Sequence, residues 1–214
     1  MSAHAQTRAT TRRRSRRRSA RVQRRRLGLA VLVVALAGAA LLSLKPWADN
    51  AVQEITLPLR HEDVIRQQAN DKNLDPALIA GVIYVESHFR DQTSHAGAKG
   101  LMQLMPATAD YIARKSGGTE FVPGDLADPQ INIAYGSWYL RYLLEHYHGN
   151  TALALAAYNA GEGKVDGWWR DAADHGENFR VADHIPFPET REYVTKVLAA
   201  RGKYRREYAR ELGL

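Results

Sequence analysis

Residues 75–87 read DPALIAGVIYVES, and this stretch decides the fold because it describes a complete apolar helix that ends in an acid. Asp75 suits the N-cap of that helix, and Pro76 suits its first position. The helical period places three apolar residues on the face of Glu86: Ile79, Val82 and Ile83. Apolar surroundings and the negative end of a helix dipole both raise a carboxyl pKa. Glu86 is therefore predicted to hold a proton near neutral pH.

Helical spacing continues through the rest of the chain after Leu57, and we find no run of alternating strand residues. Glycines 161 and 163 are predicted to form a turn, after which Trp168 and Trp169 follow. The predicted helices cover residues 62–72, 75–87, 101–115, 128–148, 151–158 and 189–212. The sequence thus predicts an all-α domain over residues 58–214.

The N-terminal part of the chain has a different composition. Residues 1–26 contain 11 arginines and no acidic residue, which leaves 19 basic and 23 acidic residues in the remainder. The net charge of +7 therefore comes from a tail and not from the domain. A basic tail of this kind could bind nucleic acid. We expect no nucleic-acid partner, because the segment that follows the tail is apolar.

Residues 27–44 are uncharged and almost wholly apolar. As a helix they would extend about 27 Å, close to the thickness of a hydrocarbon core, with Lys45 and Trp47 as interfacial anchors. We predict a cytoplasmic arginine-rich tail (1–26), a single transmembrane signal anchor (27–45), a linker (46–57) and a helical domain outside the cytoplasm (58–214). The alternative is a signal peptide cleaved near residues 37–39, where small residues lie.

The chain has no cysteine, which excludes disulfides, thiolate metal sites and a lipid-modified N-terminal cysteine. Among the eight histidines, His146 and His148 lie two positions apart and so point to different faces of a helix. Gly161-Glu162-Gly163 is too short and too acidic to bind a phosphate. We therefore predict no metal site and no cofactor.

Three further segments contain residues that packing alone does not explain. Gly100–Pro106 has Gln103 among apolar residues, and a buried amide needs hydrogen-bond partners. The other two segments read AYNAG at 157–161 and PFPETREYV at 186–194. Taken singly, each segment is also explained by a glycine turn, a helix end or a helix start.

Together with Glu86-Ser87, these segments resemble the catalytic domain of the soluble lytic transglycosylase (SLT) family, which is lysozyme-like and cuts bacterial peptidoglycan. The resemblance covers about residues 62–200. It implies that Glu86 is the sole catalytic acid and base, and that Tyr193 places its hydroxyl near that carboxyl. It also implies that Ser87 supports the orientation of Glu86. The substrate-binding residues that it implies are Ser87, Ser94, Met102, Gln103, Tyr158, Asn159 and Tyr193. It further implies that residues 58–214 form a catalytic domain in the periplasm, anchored in the bacterial inner membrane.

The resemblance implies cleavage of the MurNAc-β-1,4-GlcNAc bond without water, which leaves 1,6-anhydro-MurNAc ends. The alternatives are a lysozyme-like hydrolase and a glycan-binding scaffold without activity. Peptidoglycan is the expected partner, the protein is expected to be a monomer, and four aromatic residues are candidate sugar platforms. Of these, Tyr135 and Trp138 are expected in the core, whereas one ring of Trp168 or Trp169 is expected to face glycans.

Overall fold

Helices dominate the part of the chain that the computed structural model describes, which is residues 54–117 and 122–214. Within these ranges we find no strand, and extended pairing is limited to bridges between Thr93 and Lys99 and between Lys99 and Leu104. The prediction of an all-α domain is confirmed there. The elements are α1 (Glu62–Lys72), α2 (Pro76–Ser87), α3 (Pro106–Ser116), the 3₁₀ helix η1 (Pro123–Ala127), α4 (Pro129–His146), α5 (Thr151–Ala160), α6 (Glu162–Asp174), α7 (Val181–His184), α8 (Pro188–Glu207) and α9 (Ala209–Leu212).

The predicted arginine-rich tail, the transmembrane anchor at 27–45 and the linker as far as residue 53 lie outside the described residues. Among the helices of the described ranges, none has the length and apolar character needed to span a bilayer. Thr56–Leu214 form one compact unit.

Helix α2 lies at the centre of that unit. The Asp75 side chain accepts a hydrogen bond from the Ala77 N–H at 3.0 Å, and Pro76 occupies the first turn, as predicted. The residues from Ala77 to Ile83 are all buried. The apolar surface therefore surrounds the helix and is wider than the single stripe predicted from the spacing, which is the pattern of a helix enclosed by its neighbours.

Helix α8 packs against α2 more extensively than any other pair of elements. Gly81 allows this approach, because a Cβ atom at this position would lie 3.0 Å from the Arg201 amide nitrogen and 3.1 Å from the Val197 carbonyl oxygen. Arg201 also pairs with Asp75 at 2.6 Å. The close contact brings the first half of α8 beside the last turn of α2.

Three predicted boundaries were wrong. Helix α3 begins at Pro106 and not at Leu101, because Met105 is extended and proline disfavours helical backbone in the residue before it. Gly163 lies inside the first turn of α6, so Trp168 and Trp169 are in the middle of a helix and do not follow a turn. The last predicted helix is interrupted at Tyr208, where the backbone leaves the helical region.

The segment that leads into the domain is held by tyrosines. Tyr84, Tyr208 and Tyr204 donate hydrogen bonds to the carbonyl oxygens of residues 56, 57 and 58 at 3.0, 2.7 and 2.5 Å. Two of these tyrosines belong to the C-terminal end of the chain. The beginning and the end of the described domain are therefore in direct contact.

Candidate active site

Glu86 lies in the last turn of α2 and is half-buried. Its Oε1 atom accepts a hydrogen bond of 2.8 Å from the Tyr193 hydroxyl of α8. Burial raises the pKa of Glu86 from 4.5 to about 7, and the Tyr193 hydrogen bond opposes this shift. A carboxyl with this pKa is divided between its acid and its base form at neutral pH, so it can both donate and accept a proton.

Two buried tyrosine hydroxyls lie around this carboxyl. Burial, followed by the charge of Glu86, raises the pKa of both Tyr193 and Tyr158 well above the usual value. Both tyrosines therefore stay protonated and act as hydrogen-bond donors. The Tyr158 hydroxyl donates to the Met102 carbonyl oxygen at 2.9 Å, which ties α5 to the turn before α3.

The turn at residues 99–104 is held by Asn132, which the sequence analysis missed. The Asn132 side chain is fully buried and accepts from the Met102 N–H at 2.8 Å. Its amide group donates to the carbonyl oxygens of Lys99 and Leu126, both at 3.0 Å. In the sequence, Asn132 lies beside Ile133 on the apolar face of α4. A buried polar side chain needs hydrogen-bond partners, so this position could have indicated a structural role.

Gln103 has the left-handed backbone of a turn, with φ of 46°. Its Nε2 atom donates to the carbonyl oxygens of Gln92 at 3.0 Å and Gly100 at 2.7 Å. The expectation that this amide needs partners is confirmed. The Gln103 side chain thus fixes the turn and is half-buried.

Two of the expected substrate-binding residues, Met102 and Ser87, are buried. Met102 has no exposed surface, and its side chain packs against Gly136, where a Cβ atom would lie 2.4 Å from the Met102 sulfur. Ser87 is 1% exposed and donates its hydroxyl to the Ile83 carbonyl oxygen at 3.1 Å. In this structure both side chains lie beneath the surface, where Ser87 binds the backbone of α2 and Met102 packs on α4.

Ser94 and Asn159 lie at more accessible positions. The Ser94 hydroxyl oxygen accepts from the Ala98 N–H at 3.0 Å and stabilises the turn there. Asn159 is exposed, and its side-chain oxygen accepts from the buried Thr190 hydroxyl at 2.8 Å. Since Thr190 precedes Tyr193 by one turn of α8, this bond fixes the end of α5 beside the Glu86 site.

The candidate aromatic platforms differ from expectation. Trp168 and Trp169 are both half-buried against the core, and Trp168 also makes an edge-to-face contact with Phe187 at 5.5 Å. Tyr135 and Trp138 are half-buried too. They pack against a small second core of Leu104, Ala109, Ile112 and Leu126.

One side-chain cluster has the composition of a metal site. Ligand atoms of His146, Glu162 and Asp166 lie within 4.8 Å of one another. The His146 Nε2 atom is 2.9 Å from Asp166, and the Tyr142 and Tyr147 hydroxyls donate to Glu162 and Asp166 at 3.1 and 3.0 Å. Because these groups already satisfy one another, the cluster is best explained as a network that joins α4 to α6. Its members are too far apart in sequence for a spacing pattern to reveal it.

These features define a class of protein: a lysozyme-like helical domain built around one half-buried acid. Comparisons with known proteins identify the family. Residues 63–179 match the family described as the transglycosylase SLT domain, and the chain belongs to this family.

The chain is 34% identical over 172 residues to the soluble lytic murein transglycosylase of Escherichia coli (strain K12), which covers 74% of this chain and 27% of that protein. It is also 34% identical over 162 residues to the membrane-bound lytic murein transglycosylase C of Actinobacillus pleuropneumoniae (serotype 5b). This match covers 66% of this chain and 44% of that protein. Among solved structures, an inactive mutant of the lytic transglycosylase Slt from Pseudomonas aeruginosa superposes with a TM-score of 0.65 at 34% identity, covering 73% of this chain and 26% of that one. The chain thus spans about a quarter of the length of the Escherichia coli and Pseudomonas aeruginosa relatives.

Proposed function

We propose that this protein is a lytic transglycosylase that cleaves the MurNAc-β-1,4-GlcNAc bond of peptidoglycan and leaves 1,6-anhydro-MurNAc ends. The observation that supports this most directly is the Glu86 carboxyl, with its pKa of about 7 and its hydrogen bond to Tyr193. The names of the relatives place them in the same class of activity.

The proposed reaction uses Glu86 twice. Its protonated form donates a proton to the glycosidic oxygen as the bond from that oxygen to the anomeric carbon breaks, so that GlcNAc leaves with a free hydroxyl. The resulting carboxylate then takes the proton from the C6 hydroxyl of the same muramic acid. That hydroxyl attacks the anomeric carbon and closes the anhydro ring. One carboxyl is sufficient because the N-acetyl group of the substrate can stabilise the developing cation, an exception to the usual pair of carboxylates.

The electrostatics of the described residues agree with a single acid. Burial and the Tyr193 hydroxyl account for the pKa of Glu86, and no neighbouring carboxylate within the described ranges contributes to it. A carboxyl left at 4.5 would be almost wholly ionised at neutral pH and a poor donor. Burial therefore supplies the property that the first proton transfer requires.

The other functional predictions form part of this proposal. Ser94, Gln103, Tyr158 and Asn159 shape the groove around Glu86, while Ser87 and Met102 support it from inside. Residues 27–45 anchor the protein in the inner membrane, with the catalytic domain in the periplasm. A relative named as membrane-bound is consistent with this location. The protein acts as a monomer on glycan strands and needs no metal or cofactor.

Digestion of purified peptidoglycan with the full chain, followed by mass spectrometry of the sugar ends, tests the proposal. We expect anhydro-muramic acid ends. Reducing ends, heavier by one water, would instead show a hydrolase, and binding without any product would show a scaffold. Glu86→Gln should abolish turnover, whereas Glu207→Gln, which changes an exposed acid on α8, should retain it.

A further inference from the structure

A pocket separate from Glu86 lies between the C-terminal end of α1 and one face of α4. Its volume is about 400 Å³, within the range of sites that bind small molecules. Residues 71–73 form one wall, and Trp138, Arg141, Tyr142 and Glu145 form the other. We call it the α1–α4 pocket.

Two parallel aromatic rings form part of the pocket wall. Trp138 and Tyr142 lie one turn apart on α4, with ring centroids 5.6 Å apart and planes only 5° from parallel. Tyr142 is held in place by hydrogen bonds with Tyr111 at 3.0 Å and Glu162 at 3.1 Å. Aromatic faces carry partial negative charge, which attracts the C–H groups on the flat side of a sugar ring.

The charges of the α1–α4 pocket favour a neutral polar ligand. Asp71 and Glu145 balance Lys72 and Arg141, so the lining has no net charge. The Arg141 side chain bonds to Glu145 at 2.7 Å and reaches the Asn73 carbonyl oxygen at 3.5 Å across the two walls. Such groups can donate to and accept from hydroxyl and acetamido groups. A phosphate or a nucleic acid would instead require an excess of positive charge.

A row of aromatic rings connects the pocket to the Glu86 site. Tyr158 lies close enough to Glu86 for its pKa to respond to that charge. The rings follow one another in the order Tyr158, Tyr139, Tyr142 and Trp138. The distances between successive ring centroids are 5.6, 6.2 and 5.6 Å. All four rings are half-buried. One repeating polymer could therefore contact both places, which would lengthen its residence on the protein.

We propose that the α1–α4 pocket is an accessory saccharide subsite that binds an N-acetylhexosamine unit of a glycan strand against Trp138 and Tyr142. That the ligand is an amino sugar rests on the proposed function. That it is a neutral ring with polar substituents rests on the aromatic rings and the balanced charges of the pocket. Arg141 and the polar groups of residues 71–73 bind the substituents of the sugar.

Fluorine NMR of the full chain in detergent micelles tests this assignment. The chain has four tryptophans, so labelling with 5-fluorotryptophan gives four signals, and Trp138→Phe identifies the relevant one. In a Glu86→Gln background, chitotetraose should shift the Trp138 signal along a saturating curve. A Trp138 signal that stays in place up to the solubility limit of the oligomer overturns the proposal.

Arg141→Met distinguishes direct binding from an indirect response to the cleft. This variant removes the guanidinium, keeps most of the side-chain length and breaks only partly exposed pairs, so folding should be unaffected. We expect the Kd reported by the Trp138 signal to rise about tenfold, the effect of losing about 1.4 kcal/mol. An unchanged Kd would show that Trp138 senses a distant event, and would overturn the assignment.

Kinetics on insoluble peptidoglycan give a second readout. Trp138→Leu should raise KM about tenfold and leave kcat unchanged, because the loss of the aromatic face weakens binding by about 1.4 kcal/mol. Phe179→Leu is the control, because that half-buried ring lies outside the pocket and packs on His184. Equal KM values for both variants would contradict the subsite. If the unaltered chain fails to cleave peptidoglycan, the proposed function fails, while the chitotetraose titration still reports on the pocket.

Discussion

Glu86→Gln should stabilise the folded protein at alkaline pH, and the gain in the free energy of unfolding follows from the raised pKa of Glu86. Below 4.5, the ordinary pKa of the acid, the folded and unfolded chains both hold the proton, and ionisation costs nothing. Between 4.5 and 7 the unfolded chain loses its proton first, so stability falls as pH rises. Above 7 the full cost of about 3 kcal/mol is present, at about 1.4 kcal/mol for each pH unit of the shift. Glutamine avoids this cost because it cannot ionise, and its amide oxygen can still accept the Tyr193 hydrogen bond.

Urea unfolding of both proteins at pH 4 and pH 8 measures this effect. The difference between variant and parent in the free energy of unfolding should grow by about 3 kcal/mol in favour of the variant between the two pH values. The other titrating groups are common to both proteins and cancel. Glu207→Gln serves as the control and should show a nearly constant difference. A constant difference for Glu86→Gln as well would show that the carboxyl ionises normally, and would refute the assignment of a buried acid.

Three further predictions follow from single contacts. Tyr193→Phe removes the hydrogen bond that lowers the pKa of Glu86, so this pKa should rise. In the parent, kcat/KM should fall about tenfold per pH unit above pH 7, and in the variant this fall should begin at higher pH. An unchanged pH profile would contradict this reasoning. Asn132→Leu removes three hydrogen bonds, one to the Met102 N–H and one each to the carbonyl oxygens of Lys99 and Leu126, and should cost about 3 kcal/mol in urea unfolding. Gly100→Ala should cost more than Gly97→Ala, because both glycines have positive φ but only the first meets atoms within 2.4 Å; equal costs would exclude the steric contribution.

The helices were predictable wherever local chemistry marks a boundary. Asp75-Pro76 and Asp128-Pro129 each supply a cap and a first turn, and both helices begin there as predicted. Glycine was less informative, because Gly161 ends α5 with positive φ whereas Gly163 enters α6. Whether a glycine ends a helix depends on the backbone angle it adopts, which tertiary packing decides.

The acid of the candidate site was predictable, but most of its support was not. The apolar run before Glu86 predicted a raised pKa, and burial does raise it. The choice of Glu86 as the catalytic acid depended on the resemblance of four segments to the SLT family. Asn132 escaped notice because its three partners lie on segments that meet only in the folded chain. The packing of Met102 depends on Gly136 of α4, which lies 34 positions further along the chain, and a short sequence motif does not show such a contact.

The tyrosine contacts at the entrance of the domain have a consequence for architecture. Because Tyr204 and Tyr208 bind the carbonyl oxygens of Pro58 and Leu57, the chain enters and leaves the domain at neighbouring points. A unit of this kind can be joined to other modules at either end, or inserted into a longer polypeptide, without stretching its interior. Such adjacency suits a module that recurs as about a quarter of much larger relatives.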